Sequence, residues 1–228
     1  MIKRNVLSRT TDVPGFTNDA ILGFLYDAVM WKQPVQSLEI GTFMGRSASV
    51  ICDALNVLGG DRKLICVDSY HQTYNAAYLE RSMMQYMINR CGPEIRRLYT
   101  DFDKLQNLED CFRLTVERHP AMQRRCTLVK GDTKTLDFTR FPFVDLVYID
   151  GDHEYEGVRS DFLNVLTRLK PGGLVIFDDY YEDFPGVMRL VDEATATSGC
   201  VYVGNEGQDI GFIIPDPASV RETLSEPG

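Results

Sequence analysis

Short apolar runs ending in glycine or an acidic residue alternate with longer amphipathic stretches along most of this chain of 228 residues. The runs are rich in valine, isoleucine and leucine, as expected of strands that are covered on both faces. The predicted strands are Val35–Ile40, Lys63–Val67, Cys126–Lys130, Val144–Ile149, Leu174–Phe177, Cys200–Val203 and Gly211–Ile214. The predicted helices are Thr17–Met30, Ser47–Val57, Thr73–Arg90, Leu105–His119, Tyr155–Leu169 and Val187–Thr197. This alternation predicts an α/β fold with a doubly wound, mostly parallel sheet.

The ends of this pattern define the expected domain organisation. The last two predicted strands are so close in sequence that they predict an antiparallel hairpin at one edge of the sheet. Residues 69–125 hold two predicted helices where one suffices, which indicates an insertion or lid. The sequences Gly59-Gly60 and Lys170-Pro171-Gly172-Gly173 are expected to end helices before strands, and the tail 215–228 is expected to fray. No internal repeat or linker is evident, so a single domain over residues 1–228 is predicted.

Composition narrows the classes of function. The formal charge of −9 argues against a nucleic-acid-binding surface, because phosphate contacts are made mainly by lysine and arginine. No apolar stretch approaches the ~20 residues that cross a bilayer, and the amino-terminal sequence lacks the apolar region of a signal peptide. The six cysteines are scattered without a Cys-x-x-Cys pair, which argues against a zinc ribbon or a disulfide framework. We therefore expect a cytoplasmic protein without nucleic-acid or membrane partners.

A glycine-containing loop follows the first predicted strand. It reads Glu39-Ile40-Gly41-Thr42-Phe43-Met44-Gly45-Arg46-Ser47 and leads into a helix. Glycines at this place let the backbone turn tightly and approach a ligand. A dinucleotide-binding fingerprint would have glycine at position 43, so Phe43 argues against nicotinamide binding. A plain glycine turn without a ligand is the alternative.

Two further acidic residues follow strands on the same side of the predicted sheet. Asp68 ends the second strand, where a carboxylate can accept hydrogen bonds from the two hydroxyls of a ribose. Gly131 and Asp132 follow the third strand and could flank a flat heterocycle. Each residue could instead belong to a simple turn or cap, so the argument rests on their combination with the glycine loop.

The most informative feature is that acidic residues directly follow two of the predicted strands. Asp150-Gly151-Asp152-His153 follows the fourth strand, and Asp178-Asp179 follows the fifth. Carboxyl ends of parallel strands meet at one edge of a sheet, so these side chains are expected to converge on the glycine loop. Clustered carboxylates need a proton or a cation to coexist, and an oxygen-rich site suits Mg²⁺, Mn²⁺ or Ca²⁺. The alternative is that one acid only caps the following helix.

These motifs together resemble the class I S-adenosylmethionine-dependent methyltransferases from about Val35 to Ile214. Tyr-Ile-Asp-Gly-Asp-His-x-Tyr, read at residues 148–155, is the specific element. The chain is most similar to bacterial small-molecule O-methyltransferases, including macrolide-sugar methyltransferases and the cephalosporin-hydroxylase-like group. The resemblance implies a seven-stranded Rossmann-like sheet whose last strand is antiparallel.

The resemblance also implies roles for particular residues. The implied S-adenosylmethionine contacts are Glu39, Gly41, Thr42, Gly45, Ser47, Asp68, Ser69, Gly131, Asp132 and Asp150. The implied ligands of a divalent metal are Asp150, Asp178 and Asp179. Catechol-type relatives place a lysine base three residues after the first metal-binding Asp, and here that position is His153. An imidazole suits proton removal near neutral pH, so His153 and Asp150 are the expected catalytic residues.

The leading hypothesis is therefore a metal-assisted O-methyltransferase that acts on a small molecule, for which a vicinal diol is the natural acceptor. A homo-oligomer is compatible with this hypothesis. A metal-independent methyltransferase acting on an amine or hydroxyl is the first alternative. A nicotinamide-dependent oxidoreductase or a nucleotide-sensing module is the second. Part of the acceptor pocket is expected from a lid whose residues would include Tyr74, Tyr78, Met83, Met84, Tyr86 and Met87, although packing of an amphipathic helix explains the same residues.

Overall fold

Seven strands form one sheet in the computed structural model, which describes residues 2–10, 12–71, 91–99, 107–196 and 199–225. The strands are β1 (Gln36–Ile40), β2 (Lys63–Asp68), β3 (Cys126–Lys130), β4 (Val144–Ile149), β5 (Leu169–Phe177), β6 (Val201–Glu206) and β7 (Asp209–Ile214). Their order across the sheet is β3-β2-β1-β4-β5-β7-β6, and β7 runs in the opposite direction to the other six strands. The predicted α/β fold with a mostly parallel, doubly wound sheet and a terminal antiparallel hairpin is confirmed.

Nine α-helices lie in the described residues. They are α1 (Ile2–Thr10), α2 (Asp19–Lys32), α3 (Arg46–Leu58), α4 (Pro93–Tyr99), α5 (Leu108–Arg118), α6 (Pro120–Arg125), α7 (Tyr155–Leu166), α8 (Pro185–Ala196) and α9 (Pro217–Ser225). A short 3₁₀ turn covers Phe138–Arg140. The sequence did not predict α1, α4, α6 or α9. The predicted helix Thr73–Arg90 and the six lid residues that it carries lie outside the described residues.

The two faces of the sheet bury separate hydrophobic clusters. One cluster packs residues of α2, α3, α5 and α6 against Cys66 and Tyr148, while the other packs α7, α8 and α9 against Ile149 and Phe177. Successive strand residues alternate between these faces because side chains of a strand point to opposite sides. Both faces are covered, which explains why the strand sequences are almost continuously apolar.

Most predicted elements differ from the observed ones by a few residues at their ends, and the larger differences lie around β5 and in the tail. Lys170–Gly173 lies inside β5 rather than between a helix and a strand, because a register shift opposite Val144 and Leu146 absorbs the extra residues. Because β5 already begins at Leu169, α7 ends earlier than predicted, at Leu166 instead of Leu169. The tail forms α9 through Ser225 instead of fraying along its whole length, since its Val220 and Leu224 are buried in the second cluster.

The described helices give no candidate for a membrane span, because none of them combines the necessary length with sufficient hydropathy.

Candidate active site

The glycine loop turns at Gly41, directly beside the end of β4. Gly41 has a φ of 83°, and a Cβ atom added there would lie 1.7 Å from the carbonyl oxygen of Asp150. The loop then closes on Gly45, whose φ is 90° and which precedes the first residue of α3. Glycine at position 41 is therefore required by the backbone approach between β1 and β4, which brings the loop and Asp150 to one cleft.

Glu39 holds this loop together from inside the protein. Its fully buried carboxylate accepts hydrogen bonds from the hydroxyls of Thr42, at 3.2 Å, and of Ser47 in the first turn of α3. Burial raises the pKa of Glu39 to about 7, although both hydroxyl contacts oppose the rise. Thr42 and Ser47 are themselves buried. The three side chains thus bond to one another and fix the shape of the loop.

Asp68 connects the ends of β1 and β2. One carboxylate oxygen accepts a hydrogen bond from the backbone N–H of Phe43 and the other from that of Tyr70, both at 2.8 Å. Burial raises the pKa of the Asp68 carboxyl, and the backbone donors oppose this effect. Each carboxylate oxygen retains a further acceptor position. Asp68 can therefore shape the loop and still accept hydrogen bonds from a bound ribose.

The predicted adenine-side residues lie next to Asp68. Gly131 donates its backbone N–H to the carbonyl oxygen of Asp68 at 2.9 Å, and Ser69 follows Asp68 in the chain. The carboxylate of Asp132 accepts from the backbone N–H of Lys134 and lies 4.0 Å from Nε2 of the exposed His71. These residues share one edge of the sheet with the glycine loop, and their contact with a cofactor stays a prediction.

Backbone strain concentrates at this edge. Among the described residues, four that are not glycine have a positive φ. Phe43, Tyr70 and Asp179 lie just after β1, β2 and β5, whereas Gln33 caps the end of α2. Left-handed backbone costs bulky residues about 1–2 kcal/mol each, and such strain gathers at functional sites. The strained positions therefore mark the same cleft as the sequence motifs.

A group of possible metal ligands forms at the other side of the cleft. One ligand atom from each of Asp150, His153 and Asp179 lies within 4.8 Å of the other two. Nε2 of His153 is 2.8 Å from Oδ2 of Asp179 and 4.0 Å from Oδ1 of Asp150. The contact with Asp179 raises the pKa of His153. Burial, and then the charges of Asp178 and Asp179, raise the pKa of Asp150 well above its usual range.

Asp178 lies beside this group but points into the protein. Its carboxylate accepts hydrogen bonds from the Tyr148 hydroxyl at 2.8 Å, the Asp179 backbone N–H at 2.7 Å and the Gln208 side-chain amide at 3.1 Å. The same amide of Gln208 donates to Oδ1 of Asp179 at 2.7 Å. The structure thus brings Asp150 and Asp179 together with His153, while Asp178 supports Asp179 from behind.

Asp209 is a further buried acid that the sequence analysis did not single out. It is 1% exposed at the start of β7, and neither carboxylate oxygen has a hydrogen-bond partner among the described residues. Burial and the neighbouring charge of Asp178 raise the pKa of Asp209 to about 11. The sequence signal for Asp209 was its place directly before an apolar strand. This strand is remote in sequence from the acids at 150–152 and 178–179, so nothing in the sequence linked Asp209 to them.

Asp152 stands apart from the possible ligands. Its carboxylate accepts from Lys134 Nζ at 2.9 Å and from the backbone N–H of Glu154 at 3.0 Å. Both contacts fix the loop that leads into α7.

The His153 ring packs on Phe184 with centroids 4.5 Å apart. A Cβ atom at Gly186 would lie 2.5 Å from the His153 carbonyl oxygen, so α8 presses closely on this loop.

Comparisons with known proteins agree with this geometry. The profile of the methyltransferase domain family matches residues 38–180. An uncharacterized protein of Acanthamoeba polyphaga mimivirus is 40% identical over 167 residues, which are 72% of this chain and 61% of that protein. The chain therefore aligns with less than two thirds of that relative's length.

Solved structures share the fold at low sequence identity. An O-methyltransferase from Bacillus cereus in complex with S-adenosylhomocysteine superposes with a TM-score of 0.60 at 15% identity, covering 93% of this chain and 90% of that one. The O-methyltransferase TomG from Streptomyces achromogenes, involved in tomaymycin synthesis and solved with S-adenosylmethionine, gives 0.54 at 16% identity, covering 93% and 89%. The fold and the family profile confirm the resemblance found in the sequence: this chain belongs to the methyltransferase domain family.

Proposed function

We propose that this chain transfers a methyl group from S-adenosylmethionine to an oxygen of a small molecule. The observation that carries the proposal is the junction of the glycine loop with Asp68, through the 2.8 Å hydrogen bond from the Phe43 N–H, in a chain of this family. The cofactors in the similar Bacillus and Streptomyces structures support the choice of ligand.

The residues present fit that cofactor. Gly41 and Gly45 leave the loop without side chains where its backbone turns, and Asp68 retains acceptor positions for ribose hydroxyls. The buried carboxylate of Glu39 fixes the loop through the hydroxyls of Thr42 and Ser47, so the loop needs little rearrangement to receive a ligand. Phe43 occupies the position at which a nicotinamide-binding fingerprint requires glycine, which favours S-adenosylmethionine over a dinucleotide.

The second part of the proposal is a divalent cation held by Asp150, His153 and Asp179. Two carboxylates and one imidazole fit Mg²⁺ or Mn²⁺, and the imidazole makes Mn²⁺ a better match than Ca²⁺. The crowding of Asp150, Asp178, Asp179 and Asp209 supports a cation, because it would offset like charges that now raise the pKa of Asp150. When bound, such a cation lowers the pKa of an acceptor hydroxyl.

The chain's own side chains would then hold and orient the acceptor. Asp178 accepts the backbone N–H of Asp179, the amide of Gln208 donates to the Asp179 carboxylate, and Phe184 packs on the His153 ring. An acceptor with two neighbouring oxygens, such as a catechol or a sugar diol, fits this arrangement best. Methyl transfer is an in-line displacement, so the protein contributes mainly alignment and a deprotonated nucleophile.

A metal-independent transfer is the second candidate. The observation in its favour is that Oδ2 of Asp179 lies 2.8 Å from Nε2 of His153, where the carboxylate can stabilise an imidazolium. In this case His153 would accept the acceptor proton itself. In the metal-assisted case the same nitrogen is a ligand, so the two candidates exclude each other.

Calorimetry with the full chain tests the proposal. We expect saturable binding of S-adenosylhomocysteine, no binding of NADH, and Mn²⁺ binding that EDTA reverses. Methyl transfer from labelled S-adenosylmethionine to a panel of catechols and sugars then gives the acceptor class. Binding of NADH without S-adenosylhomocysteine would overturn the cofactor, and undiminished transfer after chelation would select the metal-independent mechanism.

A further inference from the structure

A cavity lies among helices on one face of the sheet, away from the candidate active site. It has a volume of about 430 Å³ and is bounded by α1, α3, α5 and α6. The glycine loop meets α3 at its first residue, Arg46, whereas the cavity is lined by Asp53 and Asn56. At 1.5 Å per residue these positions are ~10–15 Å further along the helix. The cavity is therefore a separate feature.

Two ionisable side chains in its wall are buried and carry polar atoms without a hydrogen-bond partner among the described residues. The side chains of His119 and Asp53 are 10% and 4% exposed, and Nε2 of His119 lies 3.6 Å from Oδ2 of Asp53. Neither ring nitrogen of His119 nor Oδ2 of Asp53 has a hydrogen-bond partner among the described residues. Buried polar groups without partners cost free energy, so a ligand that bonds to His119 would stabilise the fold.

The charges that surround the pair are mostly positive. Of the described residues, three arginines line the cavity, Arg9, Arg118 and Arg124, and the acids in that lining are Asp12 and Asp53. Burial raises the pKa of Asp53, and His119, Arg9 and Arg124 oppose this rise. Three guanidinium groups against two carboxylates leave an excess of positive charge in a chain whose net charge is −9. Such a cavity disfavours a cation and favours an anion.

We propose that this cavity binds the phosphate group of a small molecule. Planar guanidinium groups match the oxygens of a phosphate, and the unpartnered nitrogens of His119 add a buried donor. The cavity corresponds to the volume of ~14 water molecules, which leaves room for an ester group beside the phosphate. The shared chemistry is thus a phosphate, either free or as the ester of a small metabolite.

Calorimetric titration of the full chain tests the site, with inorganic phosphate and glycerol phosphate as the two probes and sodium chloride as the control for ionic strength. We expect saturable binding of phosphate at millimolar concentrations or below. Tighter binding of glycerol phosphate identifies an ester as the ligand, and equal binding identifies the free ion. Absence of saturable heat from both probes overturns the proposal.

Two further measurements localise the binding. Arg118→Met should weaken it about tenfold, whereas Arg113→Met, on the same helix but paired with Glu109 outside the cavity, should leave it unchanged. Equal affinities of the two variants would contradict the site. In the unmodified chain, phosphate should shift the NMR signals of His119 but not those of His71 or His153. Unchanged His119 signals at saturating phosphate would also overturn the proposal, without relying on a variant.

Discussion

Nε2 of His153 lies 2.8 Å from Oδ2 of Asp179, although the two residues belong to different loops. His153 precedes α7 and Asp179 follows β5, and the parallel pairing of β4 with β5 brings both loops to one edge of the sheet. The left-handed backbone of Asp179 turns its carboxylate towards the histidine, while Gln208 holds the other oxygen. The possible metal group thus depends on three separate segments of the chain.

Removing one carboxylate from this group tests the proposed cation. Asp179→Asn should weaken Mn²⁺ binding at least tenfold, because a neutral amide replaces a charged ligand beside His153. Asp152→Asn is the matched control, since Asp152 pairs with Lys134 instead. Asp178→Asn should leave Mn²⁺ affinity nearly unchanged and lower stability by about 1–3 kcal/mol, because three donors point at the two carboxylate oxygens and asparagine has only one acceptor oxygen. Calorimetry and urea unfolding separate the effects, and equal Mn²⁺ affinity in all three variants would exclude the site.

His153 should affect turnover more than cofactor affinity. His153→Ala removes a side chain that contacts Asp179 and Phe184. Among the described residues, these contacts do not involve Asp68 or the glycine loop. We expect kcat for methyl transfer to fall at least a hundredfold, in the range of lost acid–base or metal assistance, with the Kd of S-adenosylhomocysteine unchanged within about twofold. Trp31→Ala is the control, because this ring is 62% exposed at the end of α2, away from the edge of the sheet that carries the site. An unaltered kcat would remove His153 from the mechanism.

Asp68 should contribute directly to cofactor affinity. Asp68→Ala is expected to weaken S-adenosylhomocysteine binding by about 1.5–3 kcal/mol, the usual effect of losing a hydrogen bond to a charged group. Asp61→Ala removes the same charge just before β2, where the side chain is 88% exposed, and should leave affinity unchanged. Because Asp68 also accepts the N–H groups of Phe43 and Tyr70, unfolding of the variant must be measured as well. Equal affinity in both variants would contradict the ribose role.

The sequence predicted the sheet well because each strand is a short apolar run with a clear boundary. It missed α4 and α6, which are only 7 and 6 residues long and lie in a region expected to form longer helices. It also missed α9, because the tail after the last strand was expected to fray, whereas Val220 and Leu224 reach the core. Short elements that depend on tertiary packing leave little periodicity in the sequence.

The sequence placed acids at the correct edge but could not assign their directions. Asp178 and Asp179 are neighbours, yet one carboxylate points towards Tyr148 and the other towards His153. That division follows from the positive φ of Asp179 and from Gln208, which arrives on a distant hairpin. Asp209 was missed for the same reason. Backbone strain and long-range contacts of this kind are set by the assembled fold.

Gly41 should be the least replaceable glycine of the cleft. In Gly41→Ala the new Cβ atom would lie 1.7 Å from the Asp150 carbonyl oxygen, so backbone must move, and we expect a loss of about 3 kcal/mol or more. Gly60→Ala is the control, because Gly60 also has a positive φ but no atom within 4 Å of the added Cβ, and its cost should be about 1–2 kcal/mol. Urea unfolding gives both values. Equal losses would show that conformation alone, without the contact between β1 and β4, requires glycine.

The buried carboxyl of Glu39 should make stability depend on pH in an unusual direction. Its pKa is about 7 in the folded protein against 4.5 without burial, so between these values the folded state binds more protons than the unfolded state. Its contribution to stability is therefore fully present below pH 4.5 and is lost as the pH rises through about 7. The change in pKa corresponds to about 3 kcal/mol as an upper bound. Glu39→Gln stays neutral at every pH and keeps one acceptor oxygen, so it loses one of the two hydroxyl contacts at every pH alike. Its free energy of unfolding relative to the unmodified chain should therefore rise between pH 4.5 and pH 8. Urea unfolding of both proteins at the two pH values measures this difference, and a difference that does not vary with pH would mean that folding does not raise the pKa of Glu39.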